Sequence, residues 1–177
     1  SLGTTYNNIA VAYGCMEDKQ NALIFHRKAL VIREKTLFPN DPAIASTCES
    51  IASIYHSMKS YSEATIFYQK ALAIQEKILS PNDPAIASTC ESIASIYHSM
   101  KNYSDAVSFY RKALTILEQT DSPHDPSLGT TYNNIAVAYD CMEDKQTALT
   151  FHQKALVIRE KTLSSTDPAI ASTCKSI

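Results

Sequence analysis

The sequence predicts an all-α protein, a right-handed α-solenoid (superhelix) of stacked antiparallel helix pairs. Three observations predict it. The segment DPAIASTCESIASIYHSMK begins at Asp41 and recurs unchanged at Asp83, and the same frame opens again at Asp125 and Asp167, a period of 42 residues. Self-similarity at a fixed period marks an architecture in which each unit buries its apolar face only against its neighbours. Inside each period, apolar residues recur twice at three- and four-residue spacings, as on two helix faces. Gly is scarce and Trp absent, while the apolar set leans on Ala, Ile, Leu and Tyr, a composition suited to helices rather than turn-rich β structure.

The elements follow in order. The repeats run 1–40, 41–82, 83–124 and 125–166, with a partial unit at 167–177, so that 1–177 forms one array. A second layer of similarity, SLGTTYNNIAVAY at Ser1 and again at Ser127, has an offset of 126 residues, which fits a duplicated unit three repeats long. The chain starts and stops out of frame, as a piece of a longer array would. In every repeat but the first, which lacks the Asp-Pro pair, Asp41 or its counterpart caps a first helix, helix A, and Pro42 suits the first turn because it lacks an N–H. Ile44, Cys48, Ile51, Ala52 and Tyr55 form its buried stripe. Helix B starts after Asp18, Ser60, Asn102 or Asp144, and Glu63 is placed to complete a capping box with Ser60. Ala64, Phe67, Tyr68, Ala71 and Leu72 form its apolar face before the chain breaks at Ser80, Pro81 and Asn82.

A formal charge of -2 with both signs interspersed gives no reason to expect nucleic acid or an anionic membrane as partner. No apolar run approaches the roughly 20 residues that span a bilayer, and Ser1 to Ala10 lacks the regions of a secretory signal. A cytoplasmic location is expected. Cys15, Cys48, Cys90, Cys141 and Cys174 contain no CxxC pair; their spacing follows the repeat, and Cys48, Cys90 and Cys174 read as core. Gly-rich phosphate loops, HExxH pairs and nucleophile elbows do not occur, so no enzyme activity and no cofactor are expected.

Ala52 and Tyr55 in helix A, then Ala64, Tyr68, Ala71 and Leu72 in helix B, resemble the tetratricopeptide signature of small residue, Tyr, Ala, aromatic and Ala-Leu. Ala10, Tyr13, Ala22, His26, Ala29 and Leu30 repeat it, as do the counterparts in the third and fourth units. The 42-residue period is longer than the usual unit of about 34, and with helix B extended through KALVIREKTL the chain is similar to the cargo-binding repeats of kinesin light chains. It departs from the signature at Cys48, Cys90 and Cys174, where a large apolar residue is usual, and at His26 and His152, which replace the helix B aromatic.

The resemblance implies a peptide-binding groove lined by helix A. The residues on its non-core stripe are Asn7 and Val11 in the first repeat; Ser46, Glu49, Ser53 and His56 in the second; Ser88, Glu91, Ser95 and His98 in the third; and Asn133, Val137 and Asp140 in the fourth. The YNNIA segments resemble the LNNLA motif of kinesin light chains, which implies that Asn7 and Asn133 bind a peptide backbone. Glu49 and Glu91 replace that Asn in the middle repeats, and Lys175 in the last. The groove centre is therefore expected to be acidic and the partner, a protein or peptide, to carry basic residues. His56 and His98, one repeat apart, are expected about 10 Å from each other, too far to share a metal. The function expected is a scaffold or adaptor. The rival is a self-associating spacer whose units stack end to end through apolar faces such as Ile170, Cys174 and Ile177.

Overall fold

Asp followed by Pro is a strong local helix signal, and the computed structural model shows how it acts. The structure describes residues 1–119, 126–163 and 167–176. Asp41 Oδ1 accepts the Ala43 N–H at 2.8 Å, and Asp83 and Asp167 accept those of Ala85 and Ala169 at the same distance. The helices α3 (Pro42–Ser57), α5 (Pro84–Ser99) and α9 (Pro168–Ser176) start there, with α7 (Pro126–Cys141) in the same frame. The expected start at Asp125 and the stripe residue Ile177 lie outside the described residues. The remaining helices are α1 (Leu2–Cys15), α2 (Lys19–Thr36), α4 (Tyr61–Ile78), α6 (Tyr103–Glu118) and α8 (Lys145–Thr162), and the described residues contain helices and no strand.

Helix B is capped by Asp18, Asn102 and Asp144, which accept the N–H groups of Asn21, Asp105 and Thr147. Ser60 departs from expectation: its hydroxyl makes no cap bond, and the capping box with Glu63 does not form. The backbone supplies the stop instead. Ser60 N–H bonds to Tyr55 C=O and Lys59 N–H to His56 C=O, both at 2.9 Å, with Lys59 at a φ of 61°. This paired pattern with one left-handed residue is a Schellman motif, and it recurs at Glu17, Lys101 and Glu143. The turn from A to B is thus fixed by main-chain bonds whether or not the side chain at the B cap helps.

The chain divides into two units, Ser1–Ser80 and Pro81–Ile177. In the first, α1 packs on α2, α2 on α3 and α3 on α4; in the second, α5 on α6, α6 on α7, α7 on α8 and α8 on α9. Three alanine positions let the helices cross closely. Ala10, Ala52, Ala94 and Ala136 in helix A, and Ala29, Ala71, Ala113 and Ala155 in helix B, have no exposed surface, and Ala22, Ala64, Ala106 and Ala148 have almost none. Close-packed interiors leave no room for larger side chains there. In the first unit Leu30, Ile44, Cys48, Ile51, Ala71 and Ile74 form one cluster, with Tyr55 and Phe67 packed against it.

Cys48 and Cys90 are fully buried, and burial raises the Cys48 thiol to about 11. Cys174, expected in the core, is exposed. It stands on the same frame, near the end of α9, which packs on α8.

Candidate functional site on the helix A stripe

Residues of the stripe lie one and two turns apart along helix A, and the first question is which of them the fold already uses. In the first unit, Asn7 Oδ1 accepts from His26 Nδ1 at 3.2 Å, across from α2. His26 is 4% exposed, and burial, reinforced by the Arg33 charge, lowers its pKa. Glu49 accepts from Gln75 Nε2 at 2.9 Å, which ties α3 to α4, while the Gln75 Oε1 is buried without a partner. Ser46 and Ser53 are exposed, and the ring of His56 tilts against Tyr61 at 5.9 Å.

In the second unit, Glu91 on α5 accepts from the Thr131 hydroxyl on α7, linking two successive A helices. Ser88 is exposed, Ser95 half-buried, and His98 lies edge-on to Tyr103 at 5.3 Å with its Nε2 buried and unpaired. On α7, Asn133 and Val137 are half-buried, and no side-chain hydrogen bond engages Asn133 among the described residues. Asp140 accepts from His152 Nε2 and from Lys145 Nζ, each at 3.1 Å. Burial alone would raise its carboxyl, but these two donors hold it below the ordinary value.

Comparing the first and fourth repeats explains why equivalent histidines differ. Asp140 has Gly14 as its counterpart. His152 therefore finds a carboxylate on α7, whereas His26 turns to Asn7, and so Asn133 keeps its amide unpaired while Asn7 does not. Two cross-repeat arginines were not foreseen from the sequence. Arg33 donates to Ala43 C=O at 2.9 Å and to the Thr47 hydroxyl, and Arg159 donates to Ala169 C=O at 3.0 Å and to Thr173. The signal for them was present in the pairing of Gly3 with Arg33 and Gly129 with Arg159, where the other repeats have Ala45 with Gln75 and Ala87 with Leu117. A Cβ on either glycine would come within 3.2 or 3.1 Å of the arginine shaft.

The tetratricopeptide repeat model matches residues 1–77, 43–119 and 83–161. The chain belongs to the tetratricopeptide repeat family. No curated protein matches the sequence. Among solved structures, the nearly identical TPR-like repeats of a candidate kinesin light chain from Podosopora anserina align with a TM-score of 0.81 at 22% identity, over 98% of this chain and 82% of that one. A single-residue variant of the same array gives 0.82 at the same identity and coverage. BtubC (BKLC) from P. vanneervenii aligns with a TM-score of 0.81 at 22% identity, over 99% of this chain and 74% of its own. At these identities the likeness establishes an all-α solenoid of the tetratricopeptide type. Repeats of this family mediate protein–protein interaction or scaffolding and are typically non-enzymatic. Among the described residues, no helix is long and apolar enough to cross a membrane, and no three His, Cys, Asp or Glu side chains gather as metal ligands would.

Proposed function

We propose that this tetratricopeptide array is an adaptor that holds an extended, basic peptide against the stripe of its A helices. Asn133 is the observation that carries the reading. Its half-buried amide has no side-chain partner among the described residues, and one turn further along α7 stands Val137. An amide both donates and accepts, so it can bond the N–H and C=O of one peptide unit. The apolar surface beside it suits the side chain that follows. Glu91, one repeat earlier on the same stripe, is held in place by Thr131 and presents a fixed negative charge. Glu49 has the equivalent place on α3, steadied by Gln75. Carboxylates already anchored lose little side-chain freedom on meeting a Lys or Arg.

A library of blocked random peptides selected on the intact chain supplies the ligand for the test. Asn133→Ala should weaken the selected peptides about 3- to 10-fold, the equivalent of one or two hydrogen bonds. Asn7→Ala, whose amide is engaged with His26, should matter less. Glu49→Gln with Glu91→Gln should reduce both affinity and its salt dependence. Unchanged affinity in all three variants would remove the stripe from the account.

A further inference from the structure

We propose that the cleft between Tyr132 and the Lys154–Ile158 face of α8 is a second docking site, for a short acidic–aliphatic peptide segment. Its carboxylate would meet the Lys154 ammonium and its branched apolar side chain would lie on Val157 and Ile158. The cleft is about 460 Å³ and is lined by Tyr132, Thr150, Gln153, Lys154, Val157 and Ile158, a size in the range of small ligand sites. An equivalent cleft of about 380 Å³ lies 126 residues earlier in the other unit, between Tyr6 and the residues Lys28, Val31 and Ile32.

The sequence explains why the cleft exists in these repeats. At the helix A position held by Tyr6 and Tyr132, the middle repeats have Cys48 and Cys90, both without exposed surface. Over the small thiol the helix B isoleucine packs down, and Ile74 and Ile116 are each only 6% exposed. A tyrosine ring fills that space, so Ile32 and Ile158 stay half-buried; beside them Val31 and Val157, at a helix B position exposed in all four repeats, stand 48% and 49% exposed. At Tyr132 this is not an exposed repeat end. The cleft at Tyr132 stays open although α6 is packed against α7 and the Tyr132 hydroxyl donates to Glu118 at its end.

The same tyrosine sets the charge. In the second repeat, Lys70 pairs with Glu34 of the preceding helix B. In the fourth, Glu118 stands at the place of Glu34, but it accepts from Tyr132, and Lys154 has no carboxylate partner among the described residues. Its ammonium rests over the rings of Tyr132 and Phe151 at 5.6 and 5.5 Å, and Lys28 rests likewise over Phe25 and Tyr6 at 4.9 and 5.8 Å. A ring face steadies a cation weakly and leaves its outward N–H donors unsatisfied by any anion. An apolar floor with an unneutralised, pre-positioned cation at its rim is complementary to a carboxylate next to an aliphatic side chain.

The test uses the intact chain, labelled with nitrogen-15, and a blocked nonapeptide alternating Glu with Leu. Saturable amide shifts are expected at Thr150, Lys154, Val157 and Ile158, and at their counterparts around Lys28. A peptide alternating Lys with Leu should leave these signals in place. Lys28→Glu combined with Lys154→Glu should weaken binding roughly ten-fold or more, and Val157→Ser, which keeps every charge, should weaken it as well. Both variants replace exposed side chains, and unchanged helical circular dichroism confirms their fold. Shifts confined to the α5 and α7 stripes, equal binding of the Lys–Leu peptide, unaltered affinity in the variants, or no saturation at millimolar peptide would each overturn the proposal.

Discussion

Glu17, Lys59, Lys101 and Glu143 have φ between 59° and 64°, in the left-handed region where a Cβ is costly and glycine is the usual occupant. Nothing in the sequence marks them, because a charged residue there looks like any solvent-facing turn. Their strain is offset by the two main-chain bonds of each Schellman turn. Lys59→Gly should therefore raise unfolding stability by about 1 kcal/mol, measured by urea titration; a loss of stability would mean that the lysine side chain itself holds the turn. His26 offers a second test at this scale. Its folded pKa lies below the ordinary imidazole value near 6.5, so the unfolded chain binds the proton more tightly. Stability should accordingly fall as pH drops through about 6.5. Tyr68 and Tyr110 have the same place in the middle repeats. His26→Tyr should flatten the loss between pH 7 and 5, and an unaltered pH profile would show that His26 does not drive it.

At the scale of the element, most of each helix pair was readable in advance. Asp-Pro starts, the buried alanines and the apolar stripe of helix A follow from spacing and cap chemistry, and the structure shows the starts at Asp41, Asp83 and Asp167 and the buried alanines in the four full repeats. What escaped was tertiary. Ser60 has the right residue type for a cap, yet the Schellman turn already sets the start of α4, and Cys174 has the frame of a core residue yet is exposed on α9. The arginine that reaches from helix B to the next helix A also depends on an unseen neighbour. It makes a sharp contrast between two glycines. A methyl group on Gly14 would meet nothing within 4 Å, whereas one on Gly129 would face the Arg159 shaft at 3.1 Å. Gly14→Ala should stabilise the chain by about 0.5–1 kcal/mol through helix propensity. Gly129→Ala should gain at least ~1 kcal/mol less, because the shaft must shift while its guanidinium holds Ala169 and Thr173. Equal gains from urea unfolding would show the arginine contact to be slack.

For the whole molecule, the family was readable because a period and a signature are properties of the chain itself. The stripe was readable too, since helical spacing alone assigns Asn7, Glu49, Glu91 and Asn133 to one frame. How occupied each of those residues is was not readable. Asn7 and Asn133 are identical in local sequence, and only the exchange of Gly14 for Asp140, seven residues on, decides whether the buried histidine takes the amide. Similarly, a single change from cysteine to tyrosine in helix A redistributes Glu118 on α6 and Lys154 and Ile158 on α8. Near-identical repeats thus present different surfaces.

Mapping where a selected peptide touches the chain tests this most directly. A peptide from the random library, carrying a photoreactive benzoyl group, would be cross-linked to the intact chain and the adducts located by mass spectrometry. The account predicts adducts along the A-helix stripes, at positions such as Ser88, Ser95 and Val137, and fewer adducts after Asn133→Ala. Adducts confined to the B helices, or a pattern indifferent to Asn133, would contradict it.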